Sequence, residues 1–247
     1  NSMPPRLLLV IPCFRESGRL PGFLPGLCTA LEASGLPVAV QVCDDGSGEE
    51  EQARLRAVVD ALRPAHPVLR PLATLPENQG KGGAVYAGWA LATTEEFIGF
   101  VDADGAVSPA ETTRVAAIAL HPAQAGTATV AVRVHGAGRT VERTPIRLVT
   151  GLGFRWLVRL LFGLPVPDTQ CGCKIVPTDA WRALRPQLQE TRFCFDVELL
   201  CHLLRHGTRL LAVPIDWTES PGSRIRPATV TEMLLSLLRL RRRLWEI

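Results

Sequence analysis

The chain has 247 residues, of which 47% are hydrophobic, so it is long enough and apolar enough to bury a sizeable core. Its formal net charge of +3 is too small for the molecule as a whole to bind a polyanion, which excludes nucleic acid as an expected partner. No uncharged apolar run reaches about 18 residues, so the sequence predicts no transmembrane helix.

The first half of the chain alternates short apolar runs with amphipathic helical patterns. Apolar runs bounded by Pro, Gly or Asp are typical of buried parallel strands, and their alternation with helices predicts an α/β sheet wound in right-handed units. Ligands of such a sheet bind at the carboxyl ends of its strands. Strands are predicted at residues 7–11, 38–43 and 97–101, and helices at 20–33, 49–62, 83–93 and 108–120.

The second half breaks this alternation. No internal repeat or low-complexity linker separates it from the first half, so we predict one domain over residues 3–247, with halves at 3–125 and 126–223 and a basic amphipathic helix at 224–247. The pattern predicts strands at 127–133 and 210–217, helices at 145–164 and 196–206, and a loop at 165–173.

Two helical stretches combine leucines with arginines, at residues 145–164 and 233–247. Basic amphipathic helices of this kind are typical of membrane-surface elements. The alternative is that each helix packs on the protein core and turns its arginines to water. The sequence is compatible with both the membrane-surface helix and the helix packed on the core.

Seven cysteines make an odd count, several of them lie in apolar runs, and no signal peptide precedes them, so we expect a reduced, cytosolic environment. Cys171 and Cys173 suggest a metal site at first sight. A structural zinc site needs four ligands, however, and no second Cys or His pair stands at finger spacing, so we predict none.

Acidic residues follow three of the predicted strands: Glu16, Asp44 with Asp45, and Asp102 with Asp104. Residues i and i+2 of a strand share a face and lie roughly 6.6 Å apart, so the carboxylates of Asp102 and Asp104 can contact the same ligand. A divalent cation that also binds phosphate would offset their repulsion.

The competing interpretation is purely local. Asp104 and Gly105 form a good turn dipeptide, and Ser108 with Glu111 forms a helix capping box.

A glycine-rich loop, NQGKGG at residues 78–83, leads into a predicted helix. Lys81 and Lys174 are the only lysines among 27 lysine and arginine residues, so a lysine at this place is informative. The loop could hold phosphate through backbone N–H groups, although it lacks the Walker A spacing. A glycine turn with a solvated lysine is the alternative.

Taken in order, IPCFRES, VCDDGS, NQGKGGAV, VDADG, DTQCGCK, FDVELL and DWTESPGS resemble the inverting, metal-dependent glycosyltransferases with the GT-A fold. The last three motifs are similar to those of the polyprenyl-phosphate branch, especially the dolichyl-phosphate glucosyltransferases. The resemblance covers nearly the whole chain. It implies an α/β, Rossmann-like nucleotide-sugar-binding fold with a mostly parallel central sheet.

The resemblance implies a role for each matched residue. Asp102 and Asp104 would hold Mg²⁺ or Mn²⁺ on the donor diphosphate, and Arg133 and Asp168 would join them in catalysis. The acceptor phosphate would meet Arg143, Arg147 and Gln170. The donor would be bound by Pro12, Phe14, Glu16, Asp44, Asp45, Asn78, Lys81 and Ala103.

The chain departs from the family pattern in the donor region. Arg15 stands where relatives often have Asn, Cys173 where they usually have Phe, and Gly105 with Ala106 where some have a polar residue near the metal.

The resemblance implies transfer of a hexose, with glucose from a UDP-sugar favoured, to a polyprenyl phosphate at the cytoplasmic face of a membrane. A hydroxyl acceptor would need a general base, for which Asp168, Asp196 and Glu198 are candidates. A phosphate acceptor carries its own negative charge and needs none, so the arginines of the second half favour it.

Two alternatives remain: a transferase acting on a soluble or protein hydroxyl, and a non-catalytic sugar-nucleotide-binding protein. A nucleotidyltransferase is disfavoured, because IPCFRES stands where its Gly-rich, Arg-bearing loop belongs.

Overall fold

The computed structural model describes residues 4–134, 138–142, 145–219 and 227–245. Short 3-10 turns occur at Pro122–Gln124 and Arg185–Gln187. The helices are α1 (Leu20–Ser34), α2 (Glu49–Leu62), α3 (Lys81–Trp89), α4 (Pro109–Leu120), α5 (Pro145–Phe162), α6 (Thr178–Leu184), α7 (Phe195–Arg205) and α8 (Pro227–Trp245). The strands are β1 (Leu7–Cys13), β2 (Val38–Asp44), β3 (Ala73–Thr74), β4 (Phe97–Val101), β5 (Thr127–Val132), β6 (Val141–Glu142), β7 (Cys173–Pro177), β8 (Arg209–Pro214) and β9 (Trp217–Thr218).

Strands from both halves of the chain form one sheet in the order β3-β2-β1-β4-β7-β5-β8. All neighbours run parallel except β7, which is antiparallel to both β4 and β5. A separate parallel pair joins β6 to β9. The prediction of a mostly parallel sheet flanked by helices is therefore confirmed.

The first-half strands form because continuous apolar sequence is buried on both faces of the sheet. All of β2 and β4, and all of β1 except one residue, are buried. One side of the sheet packs against α1, α2 and α4. The other packs against α3, α7 and α8, where Trp89 donates a hydrogen bond from Nε1 to the Gly99 carbonyl at 2.8 Å.

The structure differs from the sequence prediction mainly in the second half. It adds β7 and α6, and it divides the strand predicted at 210–217 into β8 and β9. Strand β7 has the sequence CKIVP, and its first four residues are wholly buried. The lysine at its second position interrupts the apolar pattern by which a buried strand is predicted. Proline at position 214 ends β8, as expected for a residue that cannot donate to a ladder.

Among the helices of the described residues, none combines the length and the apolar content that crossing a bilayer requires. Helices α5 and α8 contact each other.

A substitution at Gly99 tests the packing of β4 against β7. A Cβ atom there would lie 2.8 Å from the Lys174 carbonyl oxygen and 2.8 Å from Ile175 Cγ1, so backbone must move. We expect Gly99→Ala to lower the free energy of unfolding by about 1–3 kcal/mol, measured by urea denaturation.

Gly153→Ala is the matched control. Gly153 lies in α5, a Cβ atom there would meet nothing within 4 Å, and alanine is the better helix former. Equal destabilisation by both substitutions would contradict this account of the β4–β7 contact.

Candidate active site

The topology collects the predicted motifs at one edge of the sheet. Strands β2, β1 and β4 are parallel neighbours, so the chain segments after Asp44, Cys13 and Val101 leave the sheet side by side. Strand β7 runs the other way, so its first residue, Cys173, pairs with Val101 at the end of β4. The loop before β7 and the end of β5, next to Arg133, thereby reach the same edge.

Asp102 lies against the loop that precedes β7. Its N–H donates to the Gly172 carbonyl at 2.9 Å, and a Cβ atom on Gly172 would overlap the carboxylate of Asp102. Only glycine at position 172 therefore leaves room for Asp102 as it stands.

Asp104 takes part in a turn as well as in the carboxylate pair. Its Oδ1 accepts from the Ala106 N–H at 3.0 Å, and Ser108 Oγ caps α4 by accepting from the Glu111 N–H at 3.2 Å. Burial, followed by the charge of Asp102, raises the pKa of Asp104. The predicted turn at Asp104 and the cap by Ser108 are therefore both present.

Lys81 is the first residue of α3 and forms an ion pair with Asp102, with 2.6 Å between Nζ and Oδ1. The ammonium also lies 5.1 Å from the centre of the Phe100 ring. Burial acts to lower the pKa of Lys81, but the charges of Asp102 and Asp196 outweigh it and raise that pKa. Lys81 is therefore a charged member of the carboxylate cluster and not a solvated surface lysine.

Two consecutive aspartates at the end of β2, Asp44 and Asp45, hold the neighbouring loops through hydrogen bonds. Asp45 accepts from Asn78 Nδ2 at 2.9 Å, from the Gln79 N–H at 2.7 Å and from the Gly80 N–H at 2.9 Å. Asp44 is wholly buried and accepts from the Ser47 N–H at 3.0 Å. Asp45 thus holds the glycine loop that presents Lys81.

Asp168 is wholly buried between two arginines. Arg133 contacts it through Nε at 2.7 Å and Nη2 at 3.0 Å, and Arg155 Nη2 lies 3.0 Å from Oδ2. Burial acts to raise the pKa of Asp168, but Arg133 and then Arg155 hold it well below the usual range. A carboxylate that binds its proton so weakly is a poor general base, and this one orients two guanidinium groups.

The other two candidate bases are also buried and paired. Asp196 Oδ1 lies 2.8 Å from Lys174 Nζ, and Lys174 donates to the Cys171 carbonyl at 2.7 Å. Glu198 accepts from two backbone N–H groups and lies 2.9 Å from Arg243 Nη2. Within the described residues, the three carboxylates considered as bases are therefore all committed to structural contacts.

Phe14 lies at the surface beside the carboxylate edge, with Arg15 following it at a φ of 57°, an uncommon conformation for a residue other than glycine. The Arg15 guanidinium lies 5.1 Å from the centre of the Phe14 ring. Asn tolerates this conformation better than arginine.

The remaining predicted residues are three of the donor region, Gln170, and two arginines whose side chains the structure does not describe. Pro12 is partly buried in β1, Ala103 is buried, and burial raises the pKa of Glu16. The Gln170 N–H donates to Asp168 Oδ1 at 3.2 Å. Arg143 lies outside the described residues, and Arg147 lies in α5 with its side chain outside the description.

Sequence reasoning missed Arg155 and Lys174 as members of the site. Arg155 looked like one more arginine of an amphipathic helix. Lys174 did carry a signal, since it is one of only two lysines and lies in an otherwise apolar stretch.

Within the described residues, no group of three or more His, Cys, Asp or Glu side chains could hold a metal ion by itself. Asp102 and Asp104 still fit Mg²⁺ or Mn²⁺, because such ions take one or two carboxylates and complete their shell with water and substrate phosphates.

Comparison with known proteins gives consistent results. The family model described as glycosyl transferase family 2 matches residues 8–180. Among curated relatives, dolichyl-phosphate beta-glucosyltransferase ALG5C of Trichomonas vaginalis is 32% identical, over 94% of this chain and 69% of the relative. The dolichyl-phosphate beta-glucosyltransferase of Saccharomyces cerevisiae is 30% identical, over 89% of this chain and 69% of the relative.

Among solved structures, the fold is similar to glucosyl-3-phosphoglycerate synthase of Mycobacterium tuberculosis in complex with Mn²⁺, UDP-glucose and phosphoglyceric acid. The TM-score is 0.68 over 96% of this chain and 80% of that chain, at 16% identity. At that identity the likeness concerns the fold alone, and it confirms the predicted GT-A architecture.

The buried pair of Lys174 and Asp196 can be tested by removing one partner. We expect Lys174→Met to lower the free energy of unfolding by about 3–5 kcal/mol, because Asp196 would remain as a buried unpaired charge. Urea denaturation followed by circular dichroism measures the change.

The double variant Lys174→Met with Asp196→Leu removes both charges and should recover most of the loss. Asp179→Ala is the control, because Asp179 pairs with Arg182 at the surface. A single variant as stable as the wild type would show that the pair is not a buried charge contact.

Proposed function

The chain belongs to glycosyl transferase family 2, and on that premise we propose that it transfers glucose from UDP-glucose to a dolichyl-type polyprenyl phosphate with inversion at the sugar carbon. The relatives named dolichyl-phosphate beta-glucosyltransferase support the sugar and the acceptor. Neighbours of the same fold in complex with Mn²⁺ and UDP support the donor and the metal.

One observation carries the choice of a phosphate acceptor. Asp168, Asp196 and Glu198, the carboxylates considered as general bases, are at most 3% exposed and each pairs with a cation. A hydroxyl acceptor would lose its proton to one of them only after an ion pair had broken. A phosphate acceptor needs no base, so this arrangement costs it nothing.

The donor side of the mechanism rests on Asp102 and Asp104, which would hold Mg²⁺ or Mn²⁺. The ion, when bound, would neutralise charge on the diphosphate as the bond to the sugar breaks. Asp45 keeps the glycine loop in place, and that loop delivers Lys81 to the same carboxylates. Phe14 offers an exposed ring at this edge for the nucleotide base.

On the acceptor side, Asp168 fixes the orientation of Arg133 and Arg155. The fork of a guanidinium suits phosphate, and orientation in advance reduces the entropy lost on binding. The charge of Asp102 is one of those that raise the pKa of Arg133, which supports a place for Arg133 near the donor carboxylates. We assign Asp168 a positioning role, with Gln170 held next to it.

Helices α5 and α8 supply the proposed membrane surface. Leu152, Trp156 and Leu160 recur every four residues on α5 and are 52%, 66% and 64% exposed. Leu235 and Leu238 of α8 are 54% and 59% exposed. Such an apolar face beside arginines is typical of helices that lie in a membrane interface.

The same helices also pack on the protein. Val158 of α5 and Leu237, Leu240 and Leu244 of α8 are buried in the core. Each helix therefore buries part of its surface in the core and exposes other apolar residues, which supports the proposed contact with a membrane. Placement at the cytoplasmic side of the membrane stays a prediction from the sequence.

Activity tests the proposed function directly. We expect glucose transfer from UDP-glucose to a polyprenyl phosphate in detergent with Mn²⁺, weaker transfer from GDP-mannose, and loss of activity in excess chelator. Asp104→Asn should lower the rate on the order of 100-fold, as when one group that stabilises transition-state charge is removed. Radiolabelled lipid product measures the rate.

Asp60→Asn is the control, because Asp60 pairs with Arg63 on the exposed side of α2. Full activity with chelator present would contradict the metal assignment. Faster transfer to a water-soluble hydroxyl than to the polyprenyl phosphate would favour the alternative acceptor class.

Flotation with anionic vesicles at low salt tests the membrane surface. We expect the wild type to float with the vesicles and to dissociate as salt rises, because arginines contribute to binding. Trp156→Ser with Leu160→Ser should weaken binding roughly tenfold or more, since each exposed apolar side chain contributes through burial.

Leu91→Ser is the matched control, because Leu91 is a 44% exposed leucine outside α5 and α8. If the control weakens vesicle binding as much as the pair in α5, or if the wild type ignores the vesicles, the proposed surface is wrong.

A further inference from the structure

The carboxylate of Asp102 is enclosed on two sides. Gly172 lies so close that a side chain there would overlap Asp102. Lys81 Nζ lies 2.6 Å from its Oδ1, and both side chains are less than one third exposed. The carboxylate proposed to hold a metal ion is thus already paired with a cation of the chain itself.

We propose that Lys81 makes metal binding conditional on the donor: it occupies Asp102 until a diphosphate arrives to take the ammonium away. The inference deepens the proposed function and rests on it. It assigns Lys81 a second task beyond contact with the donor, namely to keep the metal site closed to free divalent cations.

The backbone under Lys81 cannot move aside to relieve the pair. A Cβ atom on Gly80 would lie 2.7 Å from the Thr191 carbonyl oxygen, and one on Gly82 would lie 2.6 Å from the Phe195 side chain. The first turn of α3 is therefore packed directly on the segment that leads into α7. Lys81 can leave Asp102 only by rotating its side chain.

Asp196 already has a cation partner of its own. Its charge acts on Lys81, but its own oxygen already lies 2.8 Å from Lys174 Nζ. A divalent cation that arrived alone would have to break the Lys81–Asp102 pair and then bear the repulsion of a nearby ammonium. A diphosphate removes both costs, because its oxygens can accept from Lys81 while they also bind the cation.

The expected consequence is a strong coupling between nucleotide and metal. Coupling of this kind is reciprocal, so UDP should raise the affinity for Mn²⁺ by the same factor as Mn²⁺ raises the affinity for UDP. Direct contact between Mn²⁺ and the diphosphate produces some coupling in any case. The share due to Lys81 is therefore measured from the binding of Mn²⁺ without nucleotide.

The test measures the concentration of free Mn²⁺ by electron paramagnetic resonance while the purified protein is titrated without nucleotide. Lys81→Met keeps an unbranched side chain one atom shorter than lysine and removes its charge. We expect this variant to bind Mn²⁺ alone on the order of tenfold more tightly than the wild type. Lys81→Arg keeps the charge and should bind Mn²⁺ as weakly as the wild type. Thermal unfolding of each variant verifies that it is folded.

Arg19→Met is the matched control for the general loss of a positive charge, because Arg19 lies 3.6 Å from Glu16 and influences Asp104 without pairing with Asp102. We expect it to change the affinity for Mn²⁺ alone less than twofold. The inference is overturned if Lys81→Met binds Mn²⁺ alone no more tightly than the wild type, or if Arg19→Met gains as much.

The same titrations with UDP present separate this inference from the proposed function. A protein that binds Mn²⁺ with UDP but transfers no glucose would contradict the proposed function and leave the role of Lys81 standing. A protein that binds no Mn²⁺ even with UDP would overturn both.

Discussion

Strand β7 runs against both of its neighbours, and the second side of the candidate site depends on that reversal. A parallel strand between β4 and β5 would begin at the far edge of the sheet, and the loop before it would lie there too. Because β7 is antiparallel, the segment from Asp168 to Gly172 arrives beside Asp102. Lys174 can occupy this interior strand because Asp196 and the Cys171 carbonyl satisfy its ammonium.

Burial and pairing divide the acidic residues of the site into two kinds. Four of them are buried, and their oxygens accept from backbone N–H groups or pair with cations of the chain: Asp45, Asp168, Asp196 and Glu198. They hold loops and arginines in position. Asp102 and Asp104 lie at the open edge, where one pairs with a lysine and the other accepts from a turn. This division separates the carboxylates that hold other groups in position from the pair that we propose as metal ligands.

The two leucine–arginine helices illustrate why a helical pattern alone does not decide which face is inside. On α8, Leu237, Leu240 and Leu244 are buried while Leu235 and Leu238 are exposed. Helix α8 therefore carries leucines on more of its circumference than the core covers, and α5, which contacts α8, also leaves an apolar stripe exposed. Which leucines are buried and which are left for the proposed lipid surface is decided by how each helix packs on the core.

The sequence by itself determined the first half of the fold and the residues at its strand ends, because continuous apolar runs and helix periodicity are local signals. The strands that end just before Glu16, Asp45 and Asp102 were predicted for that reason, and the ordered motifs indicated the family. Only the tertiary structure decided the partners of the charged groups, since Arg155 meets Asp168 and Lys81 meets Asp102 through contacts between separate elements that no local periodicity specifies. Strand β7 was missed for the same reason. Its lysine can be buried only because a carboxylate of α7 pairs with it, and the local sequence of the strand does not indicate that partner.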